Sequence, residues 1–192
     1  DTGVFLDDSV SLGHNRLSII DLSPNGHQPM ISQDKNFAIV FNGEIYNFQE
    51  IKKELEDKGY KFFSGSDTEV ILKSYQEYGE NCLNKFNGIF AFAIWDGRKK
   101  ELFLARDHIG VKPLYYFWDG PSTGSGQAKF IFSSEIKGIL VHNISREIDL
   151  DALNHYFSLS YIPQPLTIFK NIKKLPSGHW LKLKNGKIEI KK

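Results

Sequence analysis

Cysteine is nearly absent from this sequence. Cys82 stands alone, so no disulfide can close within the chain, which suits a reducing compartment and a cytoplasmic location. Long apolar runs are missing too. The longest strongly apolar stretch, residues 89–95, is far too short to span a bilayer, and no secretory leader pattern occurs. Nor is there an excess of one charge: 24 Lys and Arg face 23 Asp and Glu. The lysines are scattered, several in pairs such as Lys52-Lys53 and Lys173-Lys174, and form no basic stripe. They read as solvated surface charge, and a nucleic-acid partner is excluded. Six histidines are present without ligand spacing; His14 and His27 straddle a loop, so no metal is assigned. What remains is an ordinary soluble composition, 41% hydrophobic and 24% charged. At 192 residues the chain is expected to form one domain, 1–192, with a sizeable core.

Local patterns place strands first. Val4-Phe5-Leu6 and Val10-Ser11-Leu12 flank an Asp7-Asp8 turn, and residues 16–20 alternate again. Ser23-Pro24-Asn25-Gly26 is a loop by composition, and residues 37–41 form an apolar run of strand length. Helical spacing follows over residues 48–58, stopping at Gly59, and over residues 67–78, stopping at Gly79. Strands are predicted over 89–96, 101–106, 114–118 and 130–133. A third helical stretch, 149–159, carries Leu150, Leu153 and Phe157 as its apolar stripe. Asn185-Gly186 between two apolar runs is the favoured hairpin pair. Residues 120–127, GPSTGSGQ, are small and polar and read as a flexible loop or an insertion. Hairpins with helices grouped between them predict an α+β fold of antiparallel sheets covered by helices.

The chemistry concentrates around residues 38–48, AIVFNGEIYNF. Asn42-Gly43 could be a type I′ turn, which the dipeptide alone favours. Alternatively the Asn42 amide and the Gly43 N–H are oxyanion donors, glycine allowing close approach to a ligand. Arg16 is either a surface or ion-paired arginine or a fork for a carboxylate. Asp67, after Ser66 at a helix start, is either an N-cap or an anion for an ammonium group. Glu44 is a weaker candidate for that same task, through its backbone carbonyl. Together these groups can hold a free amino acid by both charged ends and polarise an amide. Arg106-Asp107 could be a phosphate-binding turn, but reads better as a brace for the loop that follows. Cys82, mid-chain and helical, reads as a buried structural thiol.

These segments resemble the glutaminase domain of glutamine-hydrolysing asparagine synthetases, a class II glutamine amidotransferase. GHNRLSIID matches an HxRLSIxD-like segment, GSDTEVI a GSDxEVI segment, and LARDHIGVKPLYY a family hallmark; NGEIYN has the asparagine synthetase form. The tail YIPQPLTIFKNIKKLPSGHWLKLKNGKIEI resembles the end of that domain. The resemblance implies the N-terminal nucleophile hydrolase fold, a four-layer αββα sandwich. It implies that Arg16 binds the glutamine α-carboxylate, that Asp67, with Glu44, binds the amino group, and that Asn42 and Gly43 hold the oxyanion. It implies L-glutamine as substrate and a C-terminal synthetase domain as partner, with a homodimer as a further option. ATP and Mg are expected in that synthetase domain and no cofactor in this one.

The family's nucleophile is an N-terminal cysteine, whereas this sequence begins Asp1-Thr2-Gly3. The expectation is therefore a domain lacking its start, and a 192-residue polypeptide without glutaminase activity. Two other readings stay open: a non-catalytic amino-acid-binding relative, and an amidotransferase of the same architecture with a sugar or peptide acceptor.

Overall fold

The computed structural model describes residues 1–17, 20–120 and 129–192. The chain divides into two compact units, Asp1–Leu104 and Ala105–Lys192.

The first unit opens with an antiparallel pair, β1 (Thr2–Asp7) and β2 (Val10–Asn15). The Asp7 carboxylate accepts from the Ser9 amide at 3.1 Å and closes the turn between them. The predicted strand at 16–20 does not form at its described residues: Arg16 and Leu17 are irregular and Ile20 lies in a bend. Arg16 N–H still pairs with the Asp1 carbonyl, at 2.7 Å. Leu17 is exposed to solvent. A short 3-10 turn (Pro24–Gly26), capped by Ser23, carries the chain into the main sheet.

That sheet contains β3 (Met30–Ile31) and β4 (Phe37–Ile45), then, after two helices, β5 (Gly88–Asp96) and β6 (Glu101–Arg106), in the order β6-β5-β4-β3. β4 and β5 pair antiparallel over their whole length. Their burial is nearly continuous, so both faces of this part of the sheet are covered. Asn42-Gly43 lies inside β4, opposite Ala91 and Phe90, and is not a hairpin turn. Apolar residues on both sides and a facing nine-residue strand override the turn preference of the dipeptide.

α1 (Phe48–Asp57) buries Ile51 and Leu55, as their spacing predicts. α2 (Asp67–Tyr78) is buried along its first nine residues, from Asp67 to Tyr75. A helix sunk this deeply must satisfy its polar side chains. Glu69 accepts from the Ser64 amide at 2.8 Å and the Ser64 hydroxyl at 2.7 Å, and Lys73 lies 3.6 Å away. Tyr75 stacks on Phe103, with centroids 5.0 Å apart, in a core that includes Phe37 and Phe92. Cys82 sits fully buried in a 3-10 stretch (Gly79–Lys85), as a structural thiol would.

In the second unit, β7 (Tyr115–Trp118) lies between β8 (Phe130–Ser133) and β9 (Ile172–Lys174). α3 (Ile136–Leu140) helps to close its core, where Phe117, Ile139 and Ile172 meet. β10 (Trp180–Lys184) and β11 (Lys187–Lys191) form the expected hairpin, with Asn185 and Gly186 both at positive φ, 49° and 66°. Residues 121–127 of the small polar segment lie outside the described residues.

Arg106 and Asp107 brace the following loop. Arg106 donates to the carbonyls of Lys112 (2.7 Å), Leu175 (2.8 Å) and Gly110 (2.6 Å). Asp107 accepts from the amides of Ile109, Gly110, Val111 and Lys112. Backbone groups thus take up both side chains, as the bracing reading requires.

α4 (Leu150–Leu159) departs from expectation. Asp149 caps it, accepting from the amides of Asp151 and Ala152 at 3.1 Å. Of its residues only Ala152 is buried, and the stripe of Leu150 and Phe157 faces outward.

Candidate functional site

All five residues singled out for amino-acid binding fall in the first unit. The junction is the Asp67 carboxylate. Ser66, not Asp67, is the N-cap of α2: its hydroxyl accepts from the Thr68 amide at 3.2 Å. The cap is therefore filled one residue earlier than the candidate anion, and the Asp67 carboxylate is not consumed as the cap. It reaches β4 instead, where Oδ2 accepts from the Ile45 amide at 3.1 Å. This places a buried anion beside the segment Asn42-Gly43-Glu44. Burial pushes the Asp67 carboxyl above the ordinary carboxylate range, and the negative charge of Glu44 adds to that rise. Hydrogen bonds from the backbone of Ile45 and Thr68 offset part of it.

Arg16 joins this group through one intermediate that the sequence reading did not select. Its Nη2 donates to the Asp21 carbonyl. The Asp21 carboxylate accepts from the Ser23 amide at 2.9 Å and from the Gly65 amide at 2.8 Å, one residue before the α2 cap. Hydrogen bonds from Ser23, then from Gly65, with the Arg16 charge as a smaller contribution, hold the Asp21 carboxyl below its ordinary value. A Cβ at Gly26 would crowd the Arg16 guanidinium, so glycine there gives the arginine its room. Asp21 closes the same RLSIID stretch that carries Arg16; its place in the motif was the available signal.

Gln28 also went unselected. Buried, it accepts from the Phe41 amide at 2.6 Å, next to Asn42, and reaches the Thr68 hydroxyl at 3.4 Å. It ties β4 to the start of α2 from a second side. Asn47 does similar work at the other end of the motif. Its side chain donates to the Lys85 carbonyl at 2.9 Å and accepts from the Asn87 amide at 3.0 Å.

Asn42 is half-buried, and among the described residues its side-chain amide has no hydrogen-bond partner. A donor held on a central strand and left unused is what a ligand oxygen would need. Gly43 has φ 149°, and a Cβ there would overlap the Ile89 carbonyl, so only glycine fits. Glu44 is exposed. The arrangement can thus offer a cation, a buried anion and a neutral donor to a small zwitterion. Cys82 is not part of it: burial pushes its thiol upward, away from the reactive thiolate. Among the described residues no cluster of three or more His, Cys, Asp or Glu could hold a metal ion.

The chain matches the family described as glutamine amidotransferase domain over residues 1–192. It is 44% identical over 176 residues to asparagine synthetase [glutamine-hydrolyzing] 1 of Bacillus subtilis, covering 92% of this chain and 27% of that protein. Asparagine synthetase [glutamine-hydrolyzing] 3 of the same organism is 41% identical over 194 residues, 99% of this chain and 30% of its own. A protein of Methanocaldococcus jannaschii bearing an asparagine synthetase name is 43% identical, over 100% of this chain and 39% of its own. The chain therefore spans well under half the length of these relatives. Among solved structures, the glutamine phosphoribosylpyrophosphate amidotransferase from B. subtilis superposes with a TM-score of 0.62 at 20% identity, covering 95% of this chain and 34% of that one. That likeness shows the N-terminal nucleophile hydrolase fold implied by the motifs.

A buried carboxylate with a raised pKa makes a stability prediction. The native protein holds this proton more tightly than the unfolded chain does. Stability is therefore lost as pH rises from the ordinary carboxylate value through the raised one. Asn at position 67 keeps an acceptor for Ile45 and carries no charge. Asp67→Asn is expected to raise the urea midpoint at pH 7, with the difference shrinking as pH falls through the carboxylate range. A lower midpoint at pH 7 would mean that the ionised carboxylate stabilises the fold.

Proposed function

The chain belongs to the family of glutamine amidotransferase domains, and from that premise we propose that residues 1–192 are one such domain, the glutaminase part of an asparagine synthetase. In this reading it hydrolyses L-glutamine to glutamate and ammonia, and the ammonia serves the ATP-dependent amidation of aspartate. The observation that carries the reading is the Asp67 carboxylate bonded to Ile45, which sets an anion beside a free Asn42 amide. Arg16 takes the α-carboxylate, and Asp67 with the Glu44 carbonyl takes the α-ammonium. The side-chain carboxamide then lies toward Asn42 and Gly43.

The nucleophile is proposed to be the thiol of an N-terminal cysteine outside these residues. Its sulfur attacks the carboxamide carbon, and the C=O π pair moves onto oxygen. The Asn42 amide and the Gly43 N–H hold that oxyanion. Collapse expels ammonia, which carries the proton taken from the thiol. Water then opens the thioester to glutamate. A polypeptide of these 192 residues, whose one thiol is the buried Cys82, is proposed to lack this turnover.

The rest of the enzyme is proposed from the relatives' names and length. A C-terminal synthetase domain would use ATP and Mg, and the glutaminase domain takes no cofactor of its own. Among the described residues no helix is long and apolar enough to cross a membrane. A cytoplasmic ligase of amino-acid biosynthesis, with homodimerisation as an option, is the setting we propose.

Two substitutions in the full-length protein test the assignment. Arg16→Ala is expected to lower kcat/KM for glutamine roughly tenfold or more, the worth of a charge-assisted bond of about 1.5–3 kcal/mol. Synthesis from free ammonia should survive, since ammonia bypasses the amino-acid site. An equal fall in both activities would make Arg16 structural.

Asn42→Ala is expected to cut glutamine turnover by about a hundred- to a thousandfold while leaving glutamine binding near normal. Turnover and direct binding are measured on the same folded variant. Weakened binding with normal turnover would remove Asn42 from the oxyanion role.

A further inference from the structure

β4 has a strand along the whole of one edge and along only a short part of the other. β5 pairs with it from Phe37 to Ile45, whereas β3 reaches only Ala38 and Ile39. Amides two residues apart in a strand point to the same edge. The Ser32 amide donates to the Phe37 carbonyl at 3.0 Å, so the odd-numbered residues of β4 face the β3 side. Past Ile39, the amides of Phe41, Gly43 and Ile45 therefore emerge on an edge where no further strand lies among the described residues.

Side chains take two of these three amides. The Phe41 amide donates to Gln28 Oε1 at 2.6 Å, and the Ile45 amide to Asp67 Oδ2 at 3.1 Å. The Gly43 amide between them meets no acceptor among the described residues. The two side chains are also joined to each other. Gln28 Nε2 donates to the Thr68 hydroxyl at 3.4 Å, that hydroxyl lies 3.0 Å from the one of Ser66, and the Ser66 hydroxyl reaches Asp67 Oδ1 at 3.4 Å. Gln28, Ser66, Asp67 and Thr68 are all buried. β1 pins Gln28 as well: a Cβ at Gly3 would overlap the Gln28 carbonyl, so the two backbones lie in close approach.

We infer that Gln28 is a positioning residue for glutamine hydrolysis. It stands in for the missing edge strand on one side of Gly43, as Asp67 does on the other, and so leaves a single amide open and fixed for the oxyanion. The inference rests on the proposed reading of Asn42 and Gly43 as oxyanion donors, and goes beyond it, since Gln28 touches no part of the substrate in that reading. Without the Gln28 side chain, the Phe41 amide is buried with no acceptor, one residue before Asn42. It regains one only if the strand shifts or water enters. A misplacement of about 1 Å can cost about a hundredfold in rate. Asp67 keeps its own bond to Ile45, so the anchor for the amino group is disturbed less than the oxyanion donors are.

Gln28→Met in the full-length protein, unbranched and without hydrogen-bonding groups of comparable strength, tests this. The expected result is a fall of about ten- to a hundredfold in kcat for glutamine, with directly measured glutamine binding changed by less than about threefold. Synthesis from free ammonia, which bypasses this site, should hold. A kcat within about twofold of wild type on the folded variant overturns the inference. So does an equal fall in ammonia-dependent synthesis, which would make Gln28 a structural strap alone, or weakened binding with normal kcat, which would assign it to the amino-group anchor. Thr68→Val and Thr68→Ser give a second reading that holds even if Gln28→Met does not fold. Valine is expected to lower kcat in the same sense by removing the partner of Gln28, and serine to restore it. A valine variant as fast as wild type, or a serine variant no faster than valine, also overturns the inference. Wild-type protein that does not hydrolyse glutamine removes the proposed function itself. An active wild type beside an unaffected Gln28→Met removes only the role of Gln28.

Discussion

The bond from the Ile45 amide to the Asp67 carboxylate joins a central strand to the first turn of a buried helix. Much of the first unit is arranged to permit it. The cost of an ionised carboxylate in a dry setting is several kcal/mol when nothing offsets it. Here the offsets are partial: backbone amides help, while the nearby Glu44 charge works against them. The anion is thus held in place without being fully satisfied, as is common where a protein stores affinity for a ligand. Ser66 makes this possible by taking the capping duty, and Gln28 by holding β4 and Thr68 together.

Around this centre, neighbouring carboxylates also take up backbone amides. Asp21 spans Ser23 and Gly65, and Glu69 ties down Phe63 and Ser64. The loop between α1 and α2 is therefore held at its α2 end by carboxylates on amides. Such bonds are stronger than neutral ones and carry defined geometry. Arg106 and Asp107 apply the same principle in the second unit. In each case an ionised side chain organises a stretch that has no sheet ladder of its own.

Where the sequence was legible, the reason was period and punctuation. α2 was readable to the residue because its apolar spacing lies between Ser66 and Gly79. β6 and β8 were readable because apolar runs were bounded by turn residues. α3 and β9, at five and three residues, are too short to show a period. At its described residues the stretch 16–20 is not strand, and alternation by itself says nothing about whether a partner strand is at hand. Asn42-Gly43 shows the opposite problem: a strong local turn signal yielded to a long partner strand. In the site, the candidate residues could be named from the motifs; Asp21 stands in one of those motifs, but the roles of Asp21 and Gln28 could not be read there. Their roles depend on amides distant in sequence, at Gly65 and Phe41. The α4 stripe was visible as a pattern, while its outward direction was not, since period alone does not say which neighbour an apolar face will meet.

The two glycines of the β4–β5 pair carry a last consequence. A Cβ at Gly43 would overlap the Ile89 carbonyl, and one at Gly88 would overlap the Glu44 carbonyl. The strands are therefore in close approach at two places, one on each strand, each of which must be glycine. If β4 slid by two residues, Phe41 or Ile45 would stand where Gly43 now does, and a side chain would meet backbone. A slip of two residues keeps every side chain on its own face, so the apolar pattern alone does little to oppose it. The glycine pair thus works as a key, admitting one alignment of two long strands and barring its neighbours while the sheet is still assembling.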